Sequence, residues 1–151
     1  MTISLSLLAQ PHSAALRSIV SQALIPGVDI DNLIIGQEVI RHDGDVALPV
    51  YIDSDAYNDP TWLYRGSVEM RYKRLDLEQA LGHLPLRVYV GPTYRTSTVV
   101  ARISQVLQLH FLASDYIAEE FPLTTSTMVV PLRASPDSKR YKGQVDVLVY
   151  R

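Results

Sequence analysis

Tyr141-Lys142-Gly143-Gln144-Val145-Asp146-Val147 restates, class for class, a stretch found earlier in the chain, Tyr64-Arg65-Gly66-Ser67-Val68-Glu69-Met70. In both, a tyrosine-basic-glycine step opens a polar-valine-acidic-apolar run. Glycine accepts the backbone of a tight turn or bulge, and the alternation behind it has the period of a half-buried strand. Ahead of each lies an apolar-proline-apolar step, Leu48-Pro49-Val50 and Val130-Pro131-Leu132, followed by polar turn residues. Pro49 to Pro131 is an offset of 82 and Gly66 to Gly143 one of 77, so the first connection is five residues longer.

The correspondence runs upstream. Ser21-Gln22-Ala23-Leu24 maps onto Ser104-Gln105-Val106-Leu107 at an offset of 83, which also carries Val20 to Ile103, Ile34 to Ile117, and Leu5 and Leu7 to Val88 and Val90. Two copies are too few for a solenoid. The sequence therefore predicts an α+β protein built as two tandem copies of a small module, each one helix packed on an antiparallel sheet of three or four strands. Copy one spans 1–74, a linker with a short helix spans 75–86, and copy two spans 87–151.

Within copy one, Ile3, Leu5 and Leu7 alternate as a strand. Ser13 then caps a helix whose stripe is Leu16, Ile19, Val20, Ala23 and Leu24, ended by Pro26-Gly27. Asp43-Gly44-Asp45 is a turn between Val39-Ile40 and the alternating Val46, Leu48, Val50 and Ile52. A polar loop follows over 53–60, then a strand carrying Val68, Met70 and Tyr72. In copy two, Val88 and Val90 form the first strand. Thr96 or Ser97 caps a helix to about Leu109, striped by Val99, Val100, Ile103, Val106 and Leu107. Met128, Val130 and Leu132 pair with Val145, Val147 and Val149 in a closing hairpin. Between the copies, Gly82 stops the short helix of Asp76-Leu77-Glu78-Gln79-Ala80-Leu81.

The chain has 151 residues, 47% of them apolar, and a formal charge of −2. That balance offers no electrostatic case for nucleic acid or an anionic membrane. There is no cysteine, which removes disulfides, thiolate metal sites and thiol nucleophiles. The first nine residues lack a basic lead-in, and their apolar run is short and broken, so neither a signal peptide nor a membrane span is expected. His12, His42, His83 and His110 are not spaced as metal pairs, and the acidic stretches Asp43-Gly44-Asp45 and Asp53-Ser54-Asp55 read as turn chemistry. No Gly-x-Ser-x-Gly elbow and no glycine-rich phosphate loop is present. No catalytic, cofactor-binding or metal-binding residues are expected, and the protein is read as a non-enzyme.

The candidates that remain are contact residues. Trp62 and Tyr64 close the long loop, where exposed aromatics either anchor an interface or cap the core of copy one. Arg140, Tyr141 and Lys142 fall at the tip expected for the second hairpin, where basic residues either meet an acidic surface or discourage strand pairing.

Two stretches carry a resemblance to a known family. Residues 66–77 run Gly66 to Met70-Arg71-Tyr72-Lys73-Arg74-Leu75-Asp76-Leu77, and residues 134–147 run from Ala134 through Tyr141 and Gly143 to Val145 and Val147. They resemble the "Gly-x-x-x-Val-x-Tyr-Asn-Arg-Leu-Asp-Leu" ending and the "Ala-x-x-x-Ser-x-x-Tyr-x-Gly-x-Val-x-Val" hairpin of small, often duplicated domains in virion structural proteins of large contractile-tailed bacteriophages. Lys73 stands where that family has asparagine. The resemblance implies a virion component, a capsid decoration, neck or tail subunit assembled in the host cytoplasm. Its partners would be other virion proteins and copies of itself in a symmetric homo-oligomer. It implies no cofactor, no nucleic acid and no membrane. The other reading open at this stage is a soluble adaptor or small-ligand-binding module using the aromatic loop of Trp62 and Tyr64.

Overall fold

Both expected hairpins form, and they form in matching register. The computed structural model describes residues 3–23, 29–52 and 67–151. Along the chain these make α1 (Leu5–Leu8), α2 (His12–Ala23), β1 (Leu33–Ile35), β2 (Val39–Ile40), β3 (Val46–Ile52), β4 (Ser67–Tyr72), β5 (Leu75–Asp76) and α3 (Leu77–Leu81). They continue with β6 (Arg87–Tyr89), β7 (Thr93–Arg95), α4 (Thr96–Leu107), β8 (Glu120–Pro122), β9 (Thr127–Arg133), β10 (Tyr141–Lys142) and β11 (Gln144–Tyr150). The architecture is α+β, with four α-helices and mostly antiparallel sheet among the described residues.

In the first hairpin β3 pairs antiparallel with β4, so that Pro49 faces Glu69, Leu48 faces Met70 and Val50 faces Val68. In the second, β9 pairs antiparallel with β11, so that Pro131 faces Asp146, Val130 faces Val147 and Leu132 faces Val145. Both prolines stand where the strand turns its backbone away from its hairpin partner. The Pro49 carbonyl accepts from the Gly36 N–H at 2.8 Å, and Arg133, two residues beyond Pro131, accepts from Ile117 at 3.0 Å. A missing N–H on that side removes nothing from the hairpin ladder.

β3 is flanked on its other side by β1 and β2, so the amino-terminal sheet has four strands. The carboxy-terminal sheet has the order β6-β11-β9, with β6 parallel to β11. β5 and β10 form a second parallel pair, which ties the segment after the first hairpin to the loop of the second. These two parallel pairings depart from the purely antiparallel expectation. Each joins segments distant in sequence, a choice that short turns cannot make. A single core takes Ile3, Leu8, Ile19, Val20, Val46 and Leu48 from one half with Val99, Ile103, Leu132, Val145 and Val147 from the other.

Three local expectations are corrected. Residues 3–7 do not form a strand. Only Ile3 lies strand-like, its N–H on the Lys73 carbonyl at 3.0 Å, and Ser4 then accepts from Leu7 and Leu8, both at 3.1 Å, to start α1. Ile3, Leu7 and Leu8 are all buried, a helical rather than alternating spacing. The hydroxyl of Thr96 does not cap α4: it accepts from the Glu119 N–H at 2.9 Å, fastening the helix start to the segment ahead of β8. The helix ends at Leu107, two residues early, because Gln108 turns left-handed at φ 55°. The expected stop of α2 at Pro26-Gly27 lies outside the described residues.

Candidate functional site

One face of the carboxy-terminal sheet is packed and the other is open. Alternation along β11 sends Val145, Val147 and Val149 into the core and leaves Gln144, Asp146, Leu148 and Tyr150 on the opposite face. Register places Leu148 beside Val129 of β9 and Arg87 of β6, and Tyr150 beside Thr127 and Tyr89. Tyr89 is 62% exposed, Val129 58% and Tyr150 36%. The rings of Tyr89 and Tyr150 meet edge to face at 5.7 Å, and the Arg87 guanidinium lies 5.9 Å from the Tyr150 ring. Neighbours across strands lie within contact range, so these side chains make one amphipathic patch of two aromatics, two aliphatics and a cation.

The corresponding face of the amino-terminal sheet is more polar. Ile34, Val39 and Tyr51 are exposed there. Arg41 bonds Glu69, Arg71 reaches Glu69 at 3.1 Å, and Arg71 lies 3.5 Å from Asp43. Those two guanidiniums, Arg41 foremost, hold the Glu69 carboxyl below its usual range. Asp43 also accepts from the Asp45 N–H at 3.0 Å, so this Asp-Gly-Asp stretch closes its own turn.

The contact residues named from the sequence fall elsewhere. Trp62 and Tyr64, like the acidic stretch at Asp53 and Asp55, lie outside the described residues. Arg140 and Tyr141 do not sit at an accessible hairpin tip: Arg140 is 1% exposed and Tyr141 fully buried. The reason is the β5–β10 pairing, which folds the connection inward and leaves only Lys142 of the three in solvent. Arg140 donates to the Leu8 carbonyl at 3.2 Å, and its Nε and Nη1 have no partner among the described residues. Tyr141 stacks on Phe111 at 4.4 Å and donates to the His110 carbonyl at 2.9 Å. Beside them the buried Ser138 hydroxyl donates to Asp115 at 2.7 Å. Burial raises the Tyr141 phenol above its ordinary range.

A second polar group bridges α2 and the first sheet. Glu38 meets His12 Nε2 at 2.5 Å with one carboxylate oxygen and accepts from the Tyr72 hydroxyl with the other. Burial first, and the Glu38 bond second, drive the Tyr72 phenol well above its ordinary range, so it stays a neutral donor. These bonds position α2 against β4, while His12 Nδ1 is buried without a partner among the described residues.

The sequence reading missed Tyr89, Val129, Leu148 and Tyr150 as a group. The signal was the unbroken run Val147-Leu148-Val149-Tyr150, where an apolar residue on both faces of a strand breaks the inside-outside alternation.

A family model matches residues 57–151, well over half of the chain. The chain belongs to DUF7941, a family of unknown function. The match begins inside the first of the two expected copies and takes in every element from β4 to β11. No curated protein matches the chain, and no solved structure does. Among the described residues no helix is long and apolar enough to cross a membrane.

Proposed function

We propose that this DUF7941 member is a non-enzymatic structural component of a bacteriophage virion, a capsid decoration, neck or tail subunit that works by protein–protein contact. The observation that carries the reading is the open face of the carboxy-terminal sheet. Tyr89, Val129, Leu148 and Tyr150 form a joined patch beside Arg87, and exposed apolar patches of that kind are where proteins meet one another. Aromatics and arginine are the residues enriched at such contacts. The resemblance of residues 66–77 and 134–147 to virion domains supplies the setting, with copies of this chain and other virion proteins as partners.

The reading includes the tandem duplication, with copies at 1–74 and 87–151 about the linker 75–86. Support comes from the paired registers, proline opposite an acidic residue at Pro49–Glu69 and again at Pro131–Asp146, with the flanking apolar pairs in step. Support comes also from α2 and α4, each lying ahead of its hairpin.

Mass spectrometry of purified particles from the source, with copies counted per particle, tests the proposal. We expect the chain to be present at a copy number set by fivefold, sixfold or twelvefold symmetry. Absence from the particle overturns it.

A further inference from the structure

Strand β6 is the edge of its sheet. Leu86 accepts from the Leu148 N–H and Val90 donates to the Tyr150 carbonyl, both at 3.0 Å, so residues 86 and 90 turn their backbone groups toward β11. Backbone direction alternates with period two, which aims the N–H and C=O of Arg87 and Tyr89 away from the sheet. Among the described residues nothing pairs with that side of β6.

Beside this edge runs α4, and between them lies a groove with two unlike ends. One end, about 240 Å³, is lined by Leu84, Leu86, Val88, Ile103, Val106 and Leu107. Val106 is 61% exposed there, an uncovered apolar side chain on the rim. The other end, about 430 Å³, is more polar, with Thr98, Gln105 and Tyr89. Arg87 and Arg102 line both ends. Among the described residues neither guanidinium has a carboxylate partner; Arg102 donates to the Gln105 side chain at 2.7 Å and Arg87 lies over the Tyr150 ring.

We infer that the β6–α4 groove takes an extended, acidic segment of another protein, which adds to the sheet as a strand along β6. The free backbone groups of Arg87 and Tyr89 supply the pairing. In an added strand, side chains at i and i+2 enter the same groove roughly 6.6 Å apart. An apolar one fills the end lined by Leu86, Ile103 and Val106, and the next, a carboxylate, meets Arg87 and Arg102. Two unpaired guanidiniums select against a basic segment and in favour of an acidic one. The inference concerns a single docked segment, so it stands or falls apart from the virion reading.

The test titrates the full chain with a labelled peptide of Val-Thr-Glu-Thr repeats, which puts valine and glutamate at successive positions of one strand face, followed by fluorescence anisotropy and by amide exchange at Arg87 and Tyr89. Saturable binding with slowed exchange at those two amides is expected. The same peptide with lysine for glutamate, or with every second backbone nitrogen methylated, binds at least about fivefold more weakly. Arg102→Glu and Val106→Asp, both on the exposed rim of α4, weaken the glutamate peptide by a similar factor while circular dichroism stays unchanged. No saturation up to about 1 mM peptide overturns the inference, as does equal binding of the lysine peptide or unchanged exchange at Arg87 and Tyr89.

Discussion

Among the described residues the buried Arg140 guanidinium makes one hydrogen bond, to the Leu8 carbonyl, leaves Nε and Nη1 unmatched, and lies 5.8 Å from the Tyr141 ring. The desolvation of the guanidinium offsets what that bond and the ring contribute, so its head group adds little net stability, whereas its aliphatic stem fills space. Arg140→Met keeps the stem and is expected to change the unfolding free energy by less than about 1 kcal/mol. Arg140→Ala opens a void beside Tyr141 and lowers it by about 2–4 kcal/mol. Urea denaturation of the two variants separates these outcomes, and equal losses would refute the role assigned to the stem. From sequence, Lys139-Arg140-Tyr141-Lys142 reads as a solvated tip, because basic residues are rarely buried. Burial of Arg140 depends on β5, more than 60 residues away in the chain, and no local pattern carries that information.

Turn glycines show how far a single element can be read in advance. Gly143 and Gly91 both adopt positive φ, +74° and +73°. A side chain in that region costs about 1–2 kcal/mol. A Cβ at Gly91 would meet nothing within 4 Å, but one at Gly143 would lie 3.3 Å from the Asp76 carboxylate. Asp76 caps α3, accepting from the N–H groups of Glu78 and Gln79 at 3.0 and 3.3 Å, so it is not free to swing aside. Gly143→Ala is therefore expected to destabilise the protein more than Gly91→Ala, by about a further 1 kcal/mol if the cap is lost. Thermal melts of both variants provide the comparison, and equal shifts would show that the Asp76 contact yields. The glycine, the strand behind it and the short helix at 77–81 were all legible, since turn chemistry, period and capping are properties of neighbouring residues. The strand expected at 3–7 failed for the complementary reason: serine-leucine alternation suits two periods, and packing of Leu7 and Leu8 decided between them.

At the scale of the whole molecule, the two halves are laced together. The Leu8 carbonyl accepts from the His110 N–H at 2.9 Å as well as from Arg140, and Leu75 donates to the Arg140 carbonyl at 2.8 Å. With one core drawn from both halves, the chain is expected to unfold in a single step, with coincident urea transitions by far-ultraviolet circular dichroism and tyrosine fluorescence. Two separated transitions would show that the halves fold independently. The α+β class, both hairpins, and the Ile19-Val20 and Val99-Val100-Ile103 parts of the helix stripes were written in local periodicity, which depends only on side chains a few residues apart, whereas Ala23, Val106 and Val68, read onto the same inward faces, are exposed. The parallel pairings of β6 and β10, the burial of Arg140 and Tyr141, and the choice of which sheet face stays open came from the tertiary structure alone. Each is a contact between distant segments, settled by which surfaces find a partner and which are left to water.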